Sequence, residues 1–210
     1  MTDSNRLNEL QLASLIGSRI CHDIISLMGN IGNGMEMLET SRDPEIRQAA
    51  LDLIANSGRR AANRLAYARL AFGAAGSLGD DISLGDARAL AENLLADDKR
   101  ATLNWRAPLE NRPKAVVKLL LNLLLMAREC IPRGGELVVD VNGDEMVLTA
   151  KGSRAALPEK LAAVLTGEMA AEKIDAHLVQ PYYTLLLLQE ANYGLDVEQG
   201  EDEIVLRAGP

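Results

Sequence analysis

His22 lies in the run Ser18-Arg-Ile-Cys-His-Asp-Ile-Ile-Ser26 and is one of only two histidines in the chain. A neutral imidazole nitrogen is a good nucleophile near pH 7, and its phosphorylation is reversible. Such a side chain can accept a phosphoryl group from an acyl phosphate and give it up again. Asp23 follows directly and can favour one imidazole tautomer or raise the ring's basicity through its field. Arg19, three residues earlier, can neutralise an incoming phosphoryl group. Small residues at Ser26, Gly29, Gly32 and Gly34 would let a partner's helix approach closely. Plainer uses exist for each: an exposed histidine without a role, a solvated aspartate, a surface ion pair, glycines packed inside the protein. Helical glycines cost about 1 kcal/mol each relative to alanine, so several together call for a steric reason.

The surrounding segment must place these groups. Ile20, Ile24, Leu27, Ile31, Met35 and Leu38 recur at steps of three and four, which predicts a helix from about Leu7 to Glu39. At 100° per residue His22 points about 200° away from Ile24. It therefore shares a polar face with Ser18, Arg19, Ser26, Gly29, Asn30 and Asn33. Ser41-Arg-Asp-Pro-Glu45 reads as a turn, with Asp43 as N-cap and Pro44 at the first helical position. A second helix follows to about Phe72, with Ile46, Ala50, Leu53, Ile54, Ala61, Leu65 and Ala68 as its buried face. The glycine-rich stretch from Gly73 to Gly79 ends it. Two long helices and a short turn make an antiparallel hairpin. Alone it leaves Leu12, Ile16, Ile20, Leu53, Ile54 and Leu65 half wet. A second copy completing a four-helix bundle about a two-fold axis would cover them, and so would the rest of the chain.

The remainder changes character. Leu84 to Asp97 reads as a helix with Asp80, Asp81 or Ser83 as cap, Thr102 to Arg106 as a strand, and Asn111 to Cys130 as an apolar helix with Pro113 near its start. Glu136–Asp140 and Glu145–Thr149 read as a hairpin turning at Asn142-Gly143. Pro158–Leu165 and Pro181–Ala191 read as helices, and Leu195–Glu198 with Glu203–Arg207 as a last hairpin around Gly200. That order predicts an α+β fold with helices on one face of a mixed sheet, divided into a hairpin over residues 1–76 and a sandwich over 77–210. The composition, 48% hydrophobic with 3% aromatic, favours helices packed by Leu, Ala, Ile, Val and Met. A net charge of −8 argues against nucleic-acid binding and against docking on anionic lipid. Cys21 and Cys130 are isolated and have no metal-ligand spacing. No signal peptide or membrane-length apolar run is visible, so the expected setting is the cytoplasm.

The segments Leu12 to Ser26, Gly29-Asn-Ile-Gly-Asn-Gly-Met-Glu-Met-Leu38 and Arg64 to Gly76 resemble the ChpT-type bacterial histidine phosphotransferases. The likeness covers most of the chain. It implies a homodimer in which each chain gives two helices to a histidine-kinase-like bundle and carries a degenerate ATPase-like domain. It also implies that His22 is the phosphoacceptor in a relay from a hybrid histidine kinase's receiver domain to response regulators. Leu27 departs from the resemblance, since such sequences often carry proline there.

The later half is similar to a histidine-kinase ATP-binding domain, but the residues needed for nucleotide are missing. In the pattern Asn-Leu-x-x-Asn-Ala-x-Lys the second asparagine slot holds Met126 and the lysine slot Glu129. A thioether is a poor ligand for a hard cation. Ala150-Lys-Gly-Ser-Arg154 stands where an adenine-reading Asp-x-Gly-x-Gly would be, and Glu168 to Gln180 has no glycine to bring amides to phosphates. Asn122 is expected in the core layer, and His177 in a surface or capping role. The expected function is a histidine phosphotransferase with no bound cofactor or metal, the partner receiver bringing its own Mg²⁺. Docking is expected along residues 26–37, through Ser26, Gly29, Asn30 and Asn33, and near Gln48 to Ala55. An ATP-dependent kinase with an atypical site and a non-enzymatic dimeric adaptor for receivers remain as alternatives.

Overall fold

A computed structural model of the chain describes residues 6–73, 81–96 and 98–210. Helix α1 spans Glu9–Thr40 and is roughly 48 Å long at 1.5 Å per residue. Its start is a capping box: the Asn8 side chain accepts from Gln11 N at 2.8 Å, and Gln11 reaches back to accept from Asn8 N at 3.0 Å. Helix α2 spans Pro44–Ala71, with Asp43 accepting from Glu45 N and Pro44 in the first turn, as the turn chemistry predicts. Arg47 donates to the carbonyls of Leu38 and Ser41 and so satisfies the end of α1. Leu27 is buried inside α1, which runs through it without a break, as expected where proline is absent.

The helices pack along their length, but few of their large apolar residues are fully buried. Leu27, Gly34, Ala50 and Ala61 are buried between them. Ile46, Leu65 and Met35, predicted in the apolar faces, are instead 42%, 49% and 54% exposed. They lie at the rim of each stripe, where a single hairpin has nothing to set against them.

The second half holds two sheets. Strands β1 (Asp81–Ser83) and β3 (Asn111–Pro113) pair antiparallel. The large sheet has the order β2-β4-β5-β7-β6, formed by β2 (Ala101–Trp105), β4 (Gly135–Asn142), β5 (Glu145–Lys151), β6 (Gly194–Gly200) and β7 (Glu203–Gly209). β2 lies parallel to β4, and the other pairs are antiparallel. Alternate residues Met146, Leu148, Ala150, Ile204, Leu206 and Ala208 point to one face and are fully buried. Helices α3 (Leu84–Leu95), α4 (Lys114–Glu129), α5 (Glu159–Leu165) and α6 (Val179–Ala191) belong to this half, and α4 forms its centre. The predicted helix start at Asn111 is corrected: residues 111–113 form a strand and α4 begins at Lys114. Proline cannot donate a backbone hydrogen bond, so Pro113 closes the strand and stands as N-cap of α4. Ser83 is the cap of α3; the Asp80 alternative, the predicted helix end at Asp97 and the proposed division at residues 76/77 fall outside the described residues.

The second half also covers part of α1. Leu7, Leu12, Leu15 and Ile16 pack on Val164, Ile174, Val179 and Tyr182, and Leu7 N donates to Tyr182 Oη at 3.0 Å. Leu12 and Ile16, expected half wet on an isolated hairpin, thus find partial cover within the same chain. At the foot of the hairpin, Asn122 Nδ2 donates to Ala71 O at 2.9 Å, and Gln180 Nε2 donates to Asn122 O and Oδ1. Asn122 sits in the core layer, as expected, and stitches α2 to α4 and α6.

Candidate functional site

His22 stands on the outer face of α1 with its side chain 59% exposed, as the helical phase predicts. Its Nδ1 faces Asp23 Oδ1 at 3.7 Å. The other oxygen of that carboxylate accepts from Arg19 Nε at 3.0 Å, and the Asp23 backbone carbonyl accepts from Arg64 of α2. Asp23 is therefore held from two helices, with one oxygen left toward the imidazole. Nε2 of His22 is the ring nitrogen away from that carboxylate.

Of the other predicted site residues, Ser26, Gly29 and Asn33 are exposed along the same face and Asn30 is half-buried. The glycines divide in two. A Cβ on Gly34 would meet Ile54 Cγ1 at 2.7 Å and Ala50 O at 3.1 Å, so Gly34 is a contact point within the hairpin. Cβ atoms on Gly29 and Gly32 would meet nothing within 4 Å, so these two leave bare backbone facing outward.

Two features near His22 were not anticipated. The ring of His177 lies 4.8 Å from that of His22 at an interplanar angle of 79°, an edge-to-face contact. Arg19 Nη1 also donates to His177 O at 3.1 Å. His177 is exposed, as expected, but its place is on the candidate site. Nothing in the sequence points to this, because the two histidines come from opposite ends of the chain. Glu129, at the end of α4, is within electrostatic reach of the same groups. It touches solvent but stands against dense protein; that burial raises its carboxyl above the usual range, Arg19 and His177 pull it back, and Asp23 pushes it further up.

Behind Asp23 the hairpin and the second half enclose a cleft of about 360 Å³. Its walls carry Arg19, Arg60, Arg64, Arg100 and Arg128 against Asp23 and Asp98, over an apolar floor that includes Tyr67, Phe72 and Leu125. A positively charged hollow in a chain of net charge −8 suits an acidic partner. Cys130 is buried, and that burial, with Glu129 adding, pushes its thiol up to about 12, which leaves it inert near neutrality.

The side chains in the nucleotide-reading slots are otherwise employed. Met126 is fully buried in the core, Asn122 is bonded to Ala71 O and Lys118 O, and Ala150 is buried within β5. Met126 and Ala150 offer no oxygen donor for a hard cation at these positions.

The family model for the histidine phosphotransferase C-terminal domain matches residues 84–203. The protein phosphotransferase ChpT of Brucella abortus (strain 2308) is 44% identical over 206 residues, covering 96% of this chain and 97% of that protein. This chain belongs to the histidine phosphotransferase family. A solved structure of a bacterial phosphotransferase superposes with a TM-score of 0.88 at 41% identity, covering 98% of both chains. The histidine phosphotransferase fold is thus present from α1 to β7, hairpin and mixed sheet together. A histidine kinase domain from Erythrobacter litoralis gives a TM-score of 0.48 at 14% identity, over 88% of this chain and 94% of that one. Among the described residues no helix is long and apolar enough to cross a membrane.

Proposed function

We propose that this histidine phosphotransferase carries a phosphoryl group on His22 between receiver domains, from that of a hybrid kinase to response regulators. The Nε2 lone pair attacks the phosphorus of an aspartyl phosphate. An N–P bond forms, the P–O bond to the aspartate breaks, and the aspartate leaves as a carboxylate. A second receiver's carboxylate reverses the step and frees the imidazole. The observation that carries this reading is the exposed His22 ring with Nδ1 toward a carboxylate that Arg19 fixes. Asp23 tunes the imidazole by favouring the Nδ1–H tautomer, and Arg19 adds positive charge beside the transferring group.

The receiver docks over Ser26, Gly29, Asn30 and Asn33, where bare backbone at Gly29 and Gly32 admits a close helix. It brings the Mg²⁺ and the acidic pocket, and the arginine cleft complements that charge. Two chains pair through the hairpins. The open apolar groove of Ala13, Ile16, Gly17, Ile20, Leu65, Ala68 and Phe72 supports that pairing. ATP is not the donor; the buried Met126 and the committed Asn122 support this part of the reading.

The test is transfer from a phosphorylated receiver in the absence of ATP. The wild-type chain is expected to gain acid-labile label and His22→Gln none. Label on His22→Gln sinks the assignment of the residue. Complex formation without label on either would make the protein an adaptor, and nucleotide binding in a titration would reopen the kinase reading.

A further inference from the structure

We propose that His177 is a positioning residue for phosphotransfer: its ring locks the His22 imidazole in the orientation that presents Nε2 to the receiver. The inference rests on the reading of His22 as phosphoacceptor.

An exposed imidazole on a helix turns freely about Cβ–Cγ, since that torsion has broad, two-fold wells. A half turn of His22 would exchange Nδ1 for Cδ2 beside Asp23, and Nε2 for Cε1 on the open side. Asp23 alone restrains this weakly, because its oxygen lies 3.7 Å from Nδ1, beyond a hydrogen bond. The edge-to-face contact with His177 supplies the second restraint, while 59% of the His22 side chain stays exposed.

The backbone of His177 is itself held at both its N–H and its carbonyl. Asp175 Oδ1 accepts from His177 N and Leu178 N, both at 2.9 Å. These backbone bonds, Leu178's the larger effect, keep the Asp175 carboxyl below its usual range. Ile174 and Val179, on either side of the turn, are buried in the small core that α1 shares with α6. Arg19 then binds both the His177 carbonyl and Asp23. His22, His177, Arg19 and Asp23 form a closed circuit of contacts, in which both partners of His22, His177 and Asp23, are bound by Arg19.

The experiment compares His177→Ala and His177→Phe in single-turnover transfer from a phosphorylated receiver over a range of receiver concentrations. Alanine removes the ring and is expected to lower the plateau rate roughly five- to tenfold through lost orientation, with the half-saturating concentration unchanged within about twofold. Phenylalanine keeps a ring edge and is expected to restore the plateau to within about twofold of wild type. Equal melting temperatures exclude a folding defect; should alanine lower Tm, the phenylalanine comparison alone decides. A nuclear Overhauser contact between the two imidazoles, unambiguous in a chain with two histidines, is expected in the wild type. A wild-type plateau rate in His177→Ala, a loss in phenylalanine equal to that in alanine, or absence of the ring contact overturns the proposal. Label on His22→Gln overturns the assignment of His22 instead, and leaves the ring contact to stand as a separate observation.

Discussion

At the scale of single residues, the glycines of α1 show how one residue type serves two purposes on one helix. Gly34 is required by the approach of α2, where Ile54 and Ala50 O leave no room for a methyl group. Gly34→Ala is expected to lower Tm, because overpacking of about 1–3 kcal/mol outweighs a propensity gain of about 1 kcal/mol. Gly29 and Gly32 meet nothing within the chain. The double variant Gly29→Ala/Gly32→Ala is expected to be more stable by roughly 1.5–2 kcal/mol, a rise of several degrees in Tm. If these positions receive a receiver helix, the same variant loses transfer by a rise in KM. A calorimetric scan paired with a transfer assay reads both; stabilisation with unchanged KM would place docking elsewhere. His22 and the polar face around it were legible, because a 3.6-residue period fixes direction within one helix. His177 was not, since a turn can be brought to a helix only by the packing of everything between them.

At the scale of elements, Asp98 ties the loop before β2 to α4. Partial burial pushes its carboxyl up, but hydrogen bonds from Arg128 and the Arg100 amide outweigh that and hold it below the usual carboxylate range. Arg128 Nε donates to Oδ2 at 2.8 Å, and Arg100 N to Oδ1 at 3.2 Å. Because the folded-state value lies below the unfolded one, this contribution is complete above the ordinary aspartate pKa near 4 and is lost as pH falls through the lower folded value. Asp98→Asn is expected to be less stable than wild type at pH 7 by about 1 kcal/mol, since the pair is partly screened by water. Denaturant titrations at descending pH should show the difference shrinking only below about pH 4; a difference constant down to pH 2 would contradict the sign. Long helices and tight hairpins were legible here because their signals are local. The strand at Asn111–Pro113 was not, since three residues paired with β1 leave no period to read and a proline before an apolar run looks like a helix start.

At the scale of the whole molecule, the hairpin is covered unevenly. The second half partly covers Leu12 and Ile16, while Ile25, Met28, Leu51 and Leu65 remain 69%, 53%, 50% and 49% exposed. Exposed apolar side chains in such number on one pair of helices fit an interaction surface. Light scattering on the isolated protein is expected to give twice the mass of the 22.7 kDa chain. A monomer at micromolar concentration would remove pairing from the proposal and leave those side chains to the receiver alone.

The stitch from Asn122 to Ala71 O bears on how the hairpin yields. The foot of α2 has Ala61, Tyr67, Leu70 and Ala71 buried and is bonded into the second half, while its first turns, from Pro44 to Ala49, contain no buried residue. Free energies of local opening follow such differences. In heavy water the amides near the turn would exchange early and those at the foot last, so α2 has a stiff root and a pliant tip. His22 lies on α1 at the border of the two, anchored to the root by the Arg64 contact with its neighbour. On the proposed function, a docking receiver would mould the tip to its own surface while His22 keeps its address.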